Sequence, residues 1–521
     1  MRHALVLATI GLVSFAAGLP SIGALDTIGG TTYDCSVICA GMQRMVYYDP
    51  GYGVHVTWSW SEYTSGTTFP DRNVRYNFRD QVTGAWKWLD ADYMHSGVNV
   101  FQQRSGYGAI DLDPSRHVIT ISRQYTGGGA YLHPSFARDS APGQGAFGSA
   151  DDTQYVTQWP WHAVTASGKL HMFRITDAYA LSYRSIANWP TWDAEQGGIV
   201  PSPGFPSHLI TASKRSEKVA ALWEISSDMP EDAYLRTSDD GGLTWTDPTR
   251  LAPPLAYGGE TLASFHISSF GATFDRDDNL NIVAAVIPVV HDTGHIMPAE
   301  IWHYNGANIP AWNRIQRAGC DPANLLYSCG YNSAYACRPK IGQDPATGRL
   351  CVAWSQFDSA NGEPTTQRLR ADVWCSTSPD NGYTWSTPVN LTGPDSCSRL
   401  YCDIAPIVND TMHIVYISDL QAGMYVQGEG QATLNPVIYA RVPVSAVAGV
   451  EESPKLQASS HKLAATVLSG ASGARRLASS VIFDAMGRRV ASPRPGVYFV
   501  REEPEASSHK AQAVWKVVVT Q

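Results

Sequence analysis

The chain reads as an all-β protein: a β-propeller of about seven blades, with six the other count the pattern allows, followed by a small β-sandwich-like C-terminal domain. Three observations predict this. A unit of about 50–60 residues recurs between residues 25 and 447, apolar and polar residues alternate with period two inside each unit, and amphipathic helical patterns are scarce.

Each unit opens with a short apolar strand, turns on small or acidic residues and returns as a strongly apolar strand. The first three are Met45–Asp49 with Val54–Trp58, Ala109–Asp113 with Val118–Ile121, and Ala163–Ala166 with Leu170–Phe173. The other four are Leu209–Ala212 with Val219–Trp223, Gly271–Asp275 with Ile282–Val286, Lys340–Asp344 with Leu350–Trp354, and Ile404–Val408 with His413–Tyr416. Radial repetition covers both apolar faces of such sheets and leaves only short edges.

Two units share a sharper motif, Ser-x-Asp-x-Gly-x-Thr-Trp, at residues 238–245 and 378–385. Asp and Ser or Thr side chains bond local backbone groups, Gly permits positive φ, and Trp covers the turn. Residues 75–86 and 301–312 are degenerate versions ending on Trp86 and Trp312. The motif resembles the Asp box, or BNR repeat, of sialidases and related propellers. That resemblance implies a structural turn between the outer strands of a blade, in a sialidase-like protein that binds acidic glycans and, on one reading, cleaves them. The arginine-bearing segment that opens a sialidase has only a partial counterpart, Phe173-Arg174-Ile175-Thr176, which lacks the family's proline and lies in a later blade.

The two ends carry separate signals. Residues 1–24 run from Arg2 through an apolar stretch to small residues, the layout of a secretory signal peptide. No other stretch is apolar enough to span a membrane, so no span is expected in the mature protein. A polar stretch, 448–475, reads as a linker. In 476–521, an Asp484-x-x-Gly487-Arg488 turn, a Pro495-Gly496-Val497-Tyr498 strand and a terminal Lys516-plus-apolar strand follow in order. This resembles the C-terminal sorting domain of type IX secretion substrates, which implies that secretion machinery as a partner and a secreted or outer-membrane surface location.

Composition narrows the partners. A net charge of -9 without a basic stretch offers no footprint for nucleic acid. Nine cysteines fit an oxidising compartment, with at least one left unpaired. No metal is expected: Cys35-x₃-Cys39 stands alone, His291 and His295 have helical spacing in a loop, and Leu280 replaces the glycine that a calcium loop starting at Asp275 needs. No motif asks for a cofactor.

In a four-stranded blade, the turns after strands one and three share one face and the other connections share the opposite face. The long connections, about 62–71, 90–106, 124–154, 318–335, 357–370 and 420–434, fall in the second set, so binding is expected there. Arg44, His162, His208, Arg338 and Asp403, near first-strand starts, are expected to converge on the channel mouth at that face, with Tyr107, Tyr63, Trp159 and Trp161 nearby. Aromatic faces stack on sugar rings and arginine forks a carboxylate or sulfate, so Arg44, Tyr107, Arg338 and Asp403 are the substrate-binding candidates. A glycoside hydrolase would need a carboxylate pair such as Glu62 and Glu224. A polysaccharide lyase would use His162 or His208 as base. The alternative to both is a non-catalytic recognition or structural propeller.

Overall fold

The computed structural model describes residues 23–36, 43–126, 131–153, 157–176, 180–196, 206–225, 230–254 and 261–448, together with four strands beyond 465. The signal-peptide residues 1–22, Cys39 and the Asp484–Arg488 turn lie outside the described residues. The chain divides into two compact units, Met1–Gly449 and Val450–Gln521.

Seven antiparallel sheets make up the described first unit, so the propeller has seven blades rather than six. Blades 1 to 6 begin with Val46–Asp49, Ser105–Leu112, Thr157–Val164, Pro206–Ala212, Leu262–Phe274 and Ala336–Gln343. In each, the second strand is the apolar return strand that the repeat predicts, such as Gly53–Trp60 in blade 1 and Leu350–Glu363 in blade 6. Blade 7 is composite. Cys402–Ile404, Thr411–Ile417 and Asn435–Pro443 supply its inner three strands, and Leu25–Thr31 pairs antiparallel with Asn435–Pro443 as its outer edge. The two ends of the ring are therefore hydrogen-bonded together.

Two expected loops are strand instead. Most of 124–154 forms the outer half of blade 2, Tyr131–Asp139 and Phe147–Asp151, because its alternation is carried by Thr, Ser, Ala and His rather than by large apolar residues. In 357–370, the second and third strands of blade 6 continue past the blade body as a ribbon, pairing Gly362 with Leu369. In the second unit, Ser480–Phe483, Gly496–Glu502 and Val514–Val519 match the expected strands. Thr466–Leu468, inside the stretch read as linker, joins them in parallel with Val514–Val519.

A polar pair recurs at one place in the blades. His55 Nδ1 bonds Tyr76 Oη at 2.7 Å in blade 1, His171 bonds Tyr183 at 2.7 Å in blade 3, and His413 bonds Tyr439 at 2.6 Å in blade 7. Blade 5 reverses the order, with Asn281 on the second strand and His303 on the third. Burial pushes the pKa of His55, His171 and His413 down to about 3, so these rings are neutral hydrogen-bonding groups. The Ser-x-Asp-x-Gly-x-Thr-Trp turns cap the pairs of the preceding blade. Trp245 of blade 4 meets Tyr183 edge-on at 5.3 Å, and Trp385 of blade 6 meets His303 at 5.4 Å. Trp86 of blade 1 does the same to Tyr439 at 5.1 Å.

Within each turn the aspartate organises the backbone. Asp240 accepts from the N–H groups of Leu243 and Thr244 and from the Thr244 hydroxyl, and Asp380 accepts likewise from Thr384. These bonds hold the Asp240 carboxyl down to about 2. Glycine is required for two reasons at once. Gly242 has φ +78°, and a Cβ there would stand 2.1 Å from the Tyr183 hydroxyl. Gly51 has a similar φ of +85° but open space around it. Gly242→Ala should therefore lose about 1–3 kcal/mol more stability than Gly51→Ala, the usual cost of overpacking, as read from chemical denaturation of each variant.

Candidate functional site

The channel has a long-loop end and a hairpin end, and the sequence candidates divide between them. At the long-loop end, three first strands carry the same β-bulge. The register slips by one residue between Gly106 and Ala109 in blade 2, Gln158 and Trp161 in blade 3, and Cys337 and Lys340 in blade 6. The first bulged residue has positive φ in every case: Tyr107 at 59°, Trp159 at 44° and Arg338 at 55°. Such bulges normally place glycine there, so three bulky side chains are held in a conformation costing roughly 1–3 kcal/mol each.

An arginine–aromatic cluster is built on blades 2 and 3. The Tyr33 and Tyr107 hydroxyls bond at 2.8 Å, and Arg72 Nη1 donates to Tyr33 Oη at 2.9 Å. The Arg72 guanidinium lies over both tyrosine rings, at 4.8 and 4.9 Å. Arg123 lies 5.0 Å from the Tyr107 ring centre and 5.9 Å from that of Trp159. Burial, with the Tyr107 partner adding, raises the Tyr33 pKa well above the ordinary value, so its hydroxyl stays protonated as a donor. Arg338 stacks on Tyr401 at 4.9 Å and donates to Ser333 and to the Asn332 carbonyl.

Tyr33 arrives from the N-terminal segment. After the outer strand of blade 7, Thr32–Ser36 crosses to blade 1, held by Thr32 N–H to the Ser61 carbonyl at 2.8 Å. Asp34 accepts from the backbone N–H groups of Tyr425 and Val426 in the 420–434 loop. Burial, opposed by these bonds and reinforced by the Glu429 charge, lifts the Asp34 pKa to about 7. Burial and then the Asp34 charge raise Asp419 well above the carboxylate range.

The histidine candidates do not converge on the channel mouth. His162 Nε2 is 3.2 Å from the Ile119 carbonyl of blade 2, and His208 Nε2 is 2.9 Å from the Trp159 carbonyl of blade 3. Each ring is buried between blades, against Phe136 and Phe173 respectively. Burial lowers His162 to about 4. The bulges are the reason: each adds one residue, so counting in twos from the strand start reverses which side chains face the channel. The carboxylates are not a pair either. Glu62 is exposed beside His95 at 3.3 Å in blade 1, whereas Glu224 is wholly buried at the end of the second strand of blade 4. Asp403 is a fastener, its Oδ2 accepting from Met45 N–H at 2.6 Å and Val46 N–H at 3.1 Å.

Arg44 and Arg338 are at opposite ends. Arg44 lines a pocket of about 140 Å³ at the hairpin end, with Lys214 and Arg276 from the hairpins of blades 4 and 5. Asp111 stands 3.7 Å from Arg44 and 2.7 Å from Lys214. Lys340, deeper in the channel, reaches across from blade 6 to the Trp161 ring of blade 3 at 5.2 Å, and burial lowers it to about 8.

No group of three or more His, Cys, Asp or Glu among the described residues is arranged to hold a metal. The eight described cysteines are free thiols, which corrects the expectation of disulfides. Cys337, Cys351, Cys375 and Cys402 are buried on adjacent strands of blades 6 and 7, where they fill space as small apolar residues. The sequence reading missed Tyr33, Arg72 and Arg123 as a cluster. The overlooked signal is proline inside a first strand, at Trp159-Pro160 and Arg338-Pro339, which marks a bulge.

No protein-family model matches the chain, and no curated protein is found similar to it. Solved structures similar to it include a polysaccharide lyase of family PL25, an ulvan lyase, at 10% identity and TM-score 0.46, covering 82% of this chain and 95% of that one. Another is the polysaccharide lyase Uly1, at 11% identity and TM-score 0.42, covering 77% and 90%. A third is the lectin BP39L of Burkholderia pseudomallei, at 10% identity and TM-score 0.41, covering 73% and 94%. At this distance none of them bears on what this chain binds.

The Asp34 and Asp419 shifts set a pH dependence. Both folded-state pKa values lie above the unfolded value of about 4, so the folded chain holds extra protons between about pH 4 and 7 and loses their stabilisation as pH rises through about 7. The melting temperature of the wild type should fall across that window. In Asp419→Asn, which removes the like charge, the fall should be smaller.

Proposed function

We propose that the chain is a glycan-binding propeller that takes an acidic glycan at the long-loop end of its channel, without cleaving it. The observation that carries this reading is the matched set of positive-φ residues, Tyr107, Trp159 and Arg338, at equivalent bulges of three blades. Strain of that kind persists where the surroundings impose it, and it accumulates at ligand sites. The chemistry beside it suits a sugar acid: tyrosine and tryptophan faces for the ring, tyrosine hydroxyls for its hydroxyl groups, and Arg72 and Arg123 to fork a carboxylate or sulfate. Binding without turnover is favoured because Glu62 and Glu224 do not flank a common space and both candidate histidines bond backbone carbonyls between blades. We further propose export, on the strength of the 1–24 leader and the sorting-type motifs of 476–521.

A glycan array of uronate-bearing and sulfated oligosaccharides, followed by calorimetry on the best ligand, tests the site. Tyr107→Ala and Arg123→Ala should each weaken binding at least about tenfold, equivalent to about 1.4 kcal/mol, while both variants keep a cooperative melt. Unchanged affinity in both variants would remove the site. Appearance of unsaturated or new reducing ends on incubation would replace binding by catalysis.

A further inference from the structure

The hairpin end of the channel carries a second, chemically different site. Its pocket, about 140 Å³, is bounded by Tyr47 of blade 1, Lys214 of blade 4, Arg276 and Phe274 of blade 5, and Pro406 of blade 7, with Arg44 at its inner side. That volume is close to the roughly 150 Å³ of a cavity that holds one benzene ring. Much of the wall is apolar, contributed by Tyr47, Phe274 and the prolines of the blade 6 and 7 hairpins.

The polar groups of this wall are unequally employed. Lys214 Nζ is fully engaged, with Asp111 at 2.7 Å and the carbonyls of Leu112 and Val164 at 3.0 and 2.8 Å. Arg276 donates to the Ala346 carbonyl at 2.8 Å. Asp275 is consumed by its own hairpin, accepting from the N–H groups of Asp277 and Asn279. Arg44 differs. Its side chain is 12% exposed, its guanidinium makes no hydrogen bond among the described residues, and its one ion contact, to Asp111, is 3.7 Å long. The Tyr47 hydroxyl, on the same wall, also has no hydrogen-bond partner among the described residues. Asp111 faces two cations and balances only one, so the pocket keeps a positive surplus at Arg44.

A largely buried guanidinium with no hydrogen bond loses its hydration without replacement, and a planar anion of matching geometry restores two bonds at once. The apolar wall then selects what the anion is attached to. We propose that the hairpin end of the channel is a binding site for a small carboxylate with an apolar body, of aryl or arylacetate type, whose carboxylate is forked by Arg44 and receives the Tyr47 hydroxyl while its ring lies against Phe274 and the hairpin prolines. The site is independent of the glycan reading, being built on the opposite face from different residues.

Calorimetry of the full chain with phenylacetate and benzoate, with benzyl alcohol and sulfate as controls, tests this directly. Phenylacetate or benzoate should bind and raise the melting temperature, as any ligand selective for the folded state does. Benzyl alcohol and sulfate should each bind at least about tenfold more weakly, because one lacks the charge and the other the apolar body. Arg44→Met, which keeps the stem, should reduce aryl carboxylate affinity at least about tenfold. Tyr47→Phe, which loses only the hydroxyl, should reduce it several-fold, so the site is probed even if Arg44→Met folds poorly. Tyr107→Ala should leave it unchanged. The proposal falls if neither carboxylate binds, if sulfate binds as well as they do, if Tyr47→Phe and Arg44→Met both bind normally, or if Tyr107→Ala abolishes binding and so moves the ligand to the other end. Failure of glycan binding would not touch this result, and failure here would not touch the glycan site.

Discussion

Closure of the ring is the constraint on which the rest of the structure depends. A blade cannot bury both faces alone, and a stack of blades leaves two open faces until the last meets the first. Here Leu25–Thr31 completes blade 7 from the far end of the sequence, and the Asp403 carboxylate binds the Met45 and Val46 N–H groups of blade 1. Only a closed ring gives a channel of fixed width. Lys340 and Trp161, nearly opposite in blade order, can then meet across it.

Closure also explains how the two channel ends acquire different chemistry. At the hairpin end, the tight turns leave short side-chain reach and a small pocket with one under-used arginine, Arg44. At the other end, the connection that completes the ring must travel from the outer strand of blade 7 to blade 1. It carries Tyr33 to Tyr107 and Asp34 to the 420–434 loop. The candidate glycan site is thus partly made by the closing segment itself, and protonation of Asp34 couples how firmly that segment is held to pH.

Neighbouring blades are joined by a repeated device rather than by apolar contact alone. A buried histidine–tyrosine pair leaves ring faces and edges that another aromatic can meet, and Trp86, Trp245 and Trp385 do so from the next blade round. Both tryptophans of the full-motif turns are half-buried, less enclosed than Trp58, Trp223 and Trp354 on the second strands, which are wholly inside. The turn is therefore a latch on the outside of the blade, and its glycine is fixed by the neighbour's polar pair.

The sequence by itself determined the architecture. Every blade's inner hairpin was legible as an apolar strand, a small or acidic turn and an apolar return, because burial on both faces writes a dense apolar run that no solvent-exposed element needs. The turns of 238–245 and 378–385 were legible because their bonds are local. Outer strands such as Phe147–Asp151 were not, since their partly exposed residues carry little apolar signal. The site depended on tertiary structure for a more specific reason. One extra residue at each bulge reverses the facing of everything before it, which turned His162 and His208 between blades while aiming Tyr107, Trp159 and Arg338 along the channel. Which arginines share a space is likewise a property of ring geometry: Arg44 and Arg338 occupy similar places near first-strand starts, yet the bulge in one blade and its absence in the other send them to opposite ends.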